Sequence, residues 1–216
     1  LFFVALDPQG NSVKRMQSFL TVMPGETTSC VGCHEPRTQS VLNPRRPQLK
    51  ALKQPPSQIE PIEGIPEVFD FPRDIQPILD RHCVPCHDYL KHPNVEHGPR
   101  AGGAILTGDR GPMFSHSYVA LTVLKQFVDG RDQAVSNLAP RSIGTSASPI
   151  MKKLTEGHHG VSMTNHEIDM IRYWIESGAA YPGTYGALGG GAIGGYHENK
   201  LIEVDTGWDE SKAAAQ

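Results

Sequence analysis

The chain opens on an apolar run, Leu1-Phe2-Phe3-Val4-Ala5-Leu6, breaks at Asp7-Pro8-Gln9-Gly10-Asn11, and resumes with alternation at Val13, Arg15, Gln17 and Phe19. Two extended runs around such a turn cluster predict a β-hairpin. A lone hairpin is marginal, so this one is expected to be the end of a longer sheet, and the chain a fragment or a processed piece. Over 43–66 the pattern lapses, and Pro44, Pro47, Pro55, Pro56, Pro61 and Pro66 stand among basic and polar residues. That composition predicts an extended linker. Helical periodicity starts at Phe69-Asp70-Phe71-Pro72-Arg73-Asp74, where an Asp precedes Ile75, Ile78 and Leu79. The long Gly-rich stretch 88–149 carries one predicted helix, over 118–127. Ser148-Pro149 opens a short helix over 150–155. Thr164 and Glu167 then spell a capping box for a helix through Ser177, stopped by Gly178, with Ile168, Ile171, Trp174 and Ile175 on one face.

Cysteine usage changes this picture. All four cysteines fall in Cys30-Val31-Gly32-Cys33-His34 and Cys83-Val84-Pro85-Cys86-His87, and C-x-x-C-H is the attachment signature of c-type haem. On a helical turn, positions i and i+3 share a face, so both sulfurs can reach the two vinyl groups of one porphyrin. The next residue sets an imidazole under the ring as proximal iron ligand. A four-cysteine zinc ribbon is the competing reading, but a histidine follows both pairs and the intervening stretch is long. Redox-active disulfides compete less well, because they accompany a βαβ pattern that is missing here. The expected cofactors are two haem c, tethered at Cys30 and Cys33 and at Cys83 and Cys86, with His34 and His87 on the iron. The chain therefore divides into 1–42, hairpin and first haem segment; 43–66, linker; 67–185, a cytochrome c-like domain with the second haem; and 186–216, a Gly-rich tail. The expected fold is mainly α with long loops, built on cytochrome c-like haem domains and preceded by a short β-hairpin.

At 216 residues and a formal charge of −3, with basic residues scattered, nothing points to nucleic acid or an anionic membrane surface as partner. No stretch has the length of a membrane span. Haem c is attached on the oxidising side of a membrane, so the protein is expected to be exported, periplasmic or extracellular. The stretch Gly189-Gly190-Gly191-Ala192-Ile193-Gly194 satisfies G-x-G-x-x-G but lacks the strand, helix and βαβ room of a dinucleotide site.

Eight histidines remain beyond the two proximal ones. His158 and His159 lie just before the closing helix, where small cytochromes c present the sixth ligand, and Met163 occupies the same loop. Histidine or methionine there means a low-spin electron carrier. The first haem has no local distal candidate; His82, His97 or His116 would have to come from the second module, and otherwise its position is open or supplied from outside.

The order Met23-Pro24-Gly25-Glu26, Ser29 to Glu35, Phe71-Pro72-Arg73-Asp74-Ile75-Gln76-Pro77-Ile78-Leu79-Asp80-Arg81-His82-Cys83, Ala147-Ser148-Pro149, Gly157-His158-His159 and Trp174-Ile175 through Tyr185 resembles the C-terminal dihaem region of the hydrazine synthase alpha subunit family. The resemblance spans roughly 1–185. It implies an upstream β-propeller, an export signal, two covalent haems and His158 as sixth ligand of the second. It also implies, at the first haem, a tyrosine four residues past the motif histidine as iron ligand, with that histidine turned to zinc. Thr38 stands at this position, and a neutral threonine hydroxyl is a poor iron ligand.

The leading reading is thus a dihaem electron-transfer module working with redox partner proteins. The competing class is a haem-dependent oxidoreductase acting on a small nitrogen or oxygen species at the first haem. A third is a subunit of a cytochrome assembly or polymer whose neighbours supply missing ligands.

Overall fold

A computed structural model of the chain describes residues 2–17, 23–26, 54–55, 58, 60–94, 96–111, 113–130 and 138–183. The first motif with Cys30, Cys33 and His34, Thr38, most of the proline-rich stretch and the Gly-rich tail lie outside the described residues. The backbone divides into two compact units, 1–3 with 16–61 and 4–15 with 62–216. In the first, the described turn at 23–26 closes on itself: Glu26 N–H donates to the Met23 carbonyl (3.0 Å), and Met23 N–H to the Glu26 carboxylate (2.9 Å).

The hairpin forms where the turn cluster predicts it, as β1 (Phe2–Leu6) and β2 (Ser12–Gln17). Asp7 shapes its tip. Its carboxylate accepts from the N–H groups of Gln9 (3.0 Å) and Asn11 (2.9 Å), the Asx-turn geometry that makes Asp a turn former. Arg141 clamps the same carboxylate at 2.7 Å. The residues that β2 buries are Ser12 and Arg15, whereas Leu6 stays 43% exposed. The hairpin is held by polar contacts.

The second unit is a set of short helices joined by long loops. Asp70 caps a π-helical turn over Phe71–Ile75, accepting from Arg73 N–H, while Asp74 accepts from Asp70 N–H. This turn runs into α1 (Gln76–His82). The helix α2 (His116–Val123) starts two residues earlier than periodicity suggests, because Ser115 caps it by accepting from Tyr118 N–H. It ends earlier too, at Leu124 and the left-handed Lys125. Next comes α3 (Pro149–Glu156), with Pro149 in its first turn. The longest, α4 (Asn165–Glu176), carries the full Thr164–Glu167 capping box.

These elements converge on an aromatic core. Phe71 lies 5.2 Å from both Tyr118 and Trp174, and Phe127 5.1 Å from Trp174, at the tilted and edge-on angles that ring quadrupoles favour. Each buried polar tip is satisfied. Trp174 Nε1 donates to the Ala180 carbonyl (2.9 Å), Tyr118 Oη to that of Ala179 (2.8 Å), and Tyr181 Oη accepts from Ser115 N–H (3.0 Å). The loop after α4 is thereby pinned across the helices.

Candidate functional site

The second C-x-x-C-H motif continues directly from α1. Cys83 and Val84 N–H both donate to the Leu79 carbonyl, and Cys86 and His87 N–H to that of Cys83, at 2.8–3.1 Å. The chain thus stays coiled through the motif, and both sulfurs leave one tight turn. Both thiols are free and half-buried. Burial, then the neighbouring Cys86, pushes the Cys83 thiol up to about 11. As a free thiol Cys83 therefore lacks the depressed pKa of a redox-active cysteine. The loop that follows is fastened alongside: Ala101 N–H donates to the Cys86 carbonyl (3.1 Å) and Leu106 N–H to that of His87 (2.8 Å).

The motif opens onto a cavity walled by Leu79, Leu106, Leu121, Ile150, Leu154 and Ile171, with Cys83, His87 and His158 on its rim. Its empty space, counted out to open solvent, is about 880 Å³. His158 arrives from α3, which ends at Gly157. That residue adopts φ +102° with open space around it, so backbone freedom is what the position requires of it.

The rings of His87 and His158 face one another, 6.1 Å between centroids and 12° from parallel. That is too far for ring contact, which needs about 3.5–4 Å between atoms. The separation matches that of two imidazoles on one ion, since metal–imidazole bonds of about 2.0 Å, with about 1.1 Å from nitrogen to ring centre, give roughly 6 Å. Burial foremost depresses the pKa of both; carbonyls of Ala101 and Ala104 pull His87 the other way, while Lys153 and His159 add to the lowering at each ring. Both shifts favour the neutral imidazole, the ligating form. His87 Nδ1 is buried and makes no hydrogen bond, so those two carbonyls lie near without being aligned to it. Paired sulfurs, a facing imidazole pair and an apolar wall fit a haem.

The other candidates are placed as follows. His159 is exposed and packs on His158 (4.6 Å) and His97 (4.4 Å). Met163 packs against the hydrophobic core and does not line the cavity. His82 is tied to Glu167 at 3.0 Å, and His116 bonds Tyr89 with Asp109 at 3.4 Å. Among the described residues no cluster of three or more His, Cys, Asp or Glu is arranged to hold a metal ion. Sequence reasoning missed Lys153 and Gln126, the polar pair in the cavity wall. The signal was there, since Lys153 lies three residues past Ile150 on the inward face of α3.

Residues 1–35, which include the first C-x-x-C-H motif, match the family model described as the hydrazine synthase alpha subunit middle domain. The likeness is to hydrazine synthase alpha. The hydrazine synthase subunit alpha of Kuenenia stuttgartiensis is 31% identical over 147 residues, covering 56% of this chain. The chain spans 17% of that relative's length. No solved structure matches the chain.

Proposed function

We propose that this chain is a dihaem c-type cytochrome module that passes electrons within an extracytoplasmic redox complex. The observation that supports it is the near-parallel pair His87 and His158 lining one apolar cavity together with Cys83. Cys83 and Cys86 would tether the group, and His87 and His158 would supply imidazoles to its iron. Leu79, Leu106, Leu121 and Ile171 would exclude water from it. Bound haem would supply one-electron chemistry at its iron. Two protein ligands leave no place for substrate, which makes this centre a carrier. The first motif would hold a second haem through Cys30, Cys33 and His34. The relative is named as a subunit, so other subunits are natural electron partners. No helix among the described residues is long and apolar enough to cross a membrane.

A second reading draws on the match over 1–35: a haem enzyme related to hydrazine synthase, with its chemistry at the first motif. Thr38, in place of the tyrosine that the resemblance implies, weighs against hydrazine formation.

Intact mass after acid denaturation should exceed the polypeptide by two haems. His158→Ala should turn one haem from low to high spin while leaving that mass increment in place. A polypeptide mass with removable zinc would sink the proposal, and a silent His158→Ala beside an effective Met163→Ala would move the ligand to the methionine.

A further inference from the structure

Adjacent lysines on α3 have opposite surroundings. Lys152 stands in solvent, its side chain 73% exposed, 3.7 Å from Glu156. Lys153 is half-buried and lines the cavity together with His87 and His158. Its ammonium donates to the Gln126 side-chain oxygen. That bond uses one of three N–H donors and leaves the charge uncompensated. Among the described residues no carboxylate pairs with it. An ammonium on an apolar wall loses hydration and is stabilised only by a counter-charge. The rest of the cavity lining is mostly aliphatic, with Cys83, His87, His158 and Gln126 as its other polar members and no acid among them. The missing complement is an anionic edge on whatever fills the cavity, and a haem carries two carboxylates of its own.

We propose that Lys153 is the positioning residue that pairs with a haem propionate and, by its charge, holds up the reduction potential of the second centre. Gln126 then acts as the resting partner that keeps the ammonium at the wall before the group is attached. This rests on the haem reading, and the two can fail separately. If the full-length wild-type protein carries no covalent haem by mass, the functional reading falls before Lys153 is tested.

In the loaded full-length protein, Lys153→Met retains the aliphatic stem and removes the charge. Of the two redox transitions in a potentiometric titration, the one altered by His158→Ala should move to lower potential, while the other stays. The propionate bending bands in the resonance Raman spectrum should shift as well. Lys153→Arg should restore both readouts toward wild type. Should the methionine variant fold or load poorly, Lys153→Gln offers a polar substitute expected to shift both in the same direction. Unchanged potential in the loaded variants would overturn the proposal. A lowered potential with unmoved propionate bands would overturn the pairing, because the charge would then act from a distance.

Discussion

Glu176, the last residue of α4, is 5% exposed, and its carboxylate accepts from Arg15 Nη2 (2.7 Å) and from the Thr145 N–H (2.8 Å) and hydroxyl (2.5 Å). Arg15, whose side chain is fully buried, also donates to the carbonyls of Asp129 (2.8 Å) and Ile175 (3.0 Å). Burial opposes the Glu176 charge, yet Thr145, Arg15 and Ser12 outweigh it and hold the pKa below the ordinary 4.5. Glu176→Ala would take a carboxylate away from the buried Arg15 guanidinium and leave two Thr145 donors without that acceptor. Breaking a buried pair this way costs about 3–5 kcal/mol. For a chain of this size that corresponds to a fall in Tm of roughly 6–20 °C. Glu176→Gln keeps the volume and an acceptor and should cost about 1.5–3 kcal/mol. The assay is urea and thermal unfolding of both variants, with Arg15→Met and the Arg15→Met/Glu176→Leu double variant closing a cycle. Because removing both charges also removes the desolvation cost, the double variant should be less destabilised than the sum of the singles. The pH dependence has a definite sign. A depressed carboxylate stabilises fully above its unfolded value near 4.5, and this contribution is lost as pH falls below it. The difference between wild type and Glu176→Gln should therefore close on acidification. Additive singles, or a difference that persists in acid, would refute the reasoning.

Two further changes test the same framework. A Cβ on Gly144 would lie 2.2 Å from Ser12 Oγ and 2.8 Å from both Glu176 oxygens, at φ +70°, so Gly144→Ala should cost about 2–5 kcal/mol in chemical denaturation; a near-neutral result would mean that this network is looser than its distances imply. Glu167, held at about 2 by Thr164 N–H, His82 and Arg81, joins α1 to the α4 cap. Glu167→Gln should lose about 1 kcal/mol at neutral pH, and since a depressed carboxylate stabilises above 4.5 and stops doing so toward pH 2, urea midpoints of variant and wild type should converge over that interval.

What could be read from the sequence follows from where the physics is local. The hairpin turn at Asp7 and the Thr164–Glu167 cap are short-range signals, each decided within a few residues, and each forms where its pattern lies. The start of α2 was missed because its cap, Ser115, stands in a Gly-rich stretch with no periodicity before it. The buried Arg15 was illegible for a deeper reason. Alternation in β2 assigns it a face but cannot reveal that a carboxylate 161 residues away waits on that face. Lys153 was legible in part, since it stands three residues past Ile150 on one helix face, but the cavity that this face lines is assembled from distant segments.

Arg15 also bears on what the likeness to hydrazine synthase alpha means for this chain. The matched segment 1–35 contains the hairpin tip, and that tip belongs to the same compact unit as the helices around the cavity. The connection runs through one helix. Ile171 of α4 walls the cavity, Trp174 fills the aromatic core, and Glu176 at the helix end holds Arg15. Side chains at 171 and 174 share a face, and the carboxylate follows half a turn later, so loss of the Arg15 pair frees the end of the helix that supports the cavity wall. On the proposed haem reading, a hairpin residue far from the cavity in sequence would help to support the wall on which His87 and His158 stand. If so, Arg15→Met should broaden the low-spin signature of the haem altered by His158→Ala as well as lower stability, whereas Glu167→Gln, at the other end of α4, should lower stability with a smaller spectral change. Equal spectral effects from the two ends would show that the helix responds as a rigid rod rather than fraying from its C-terminus.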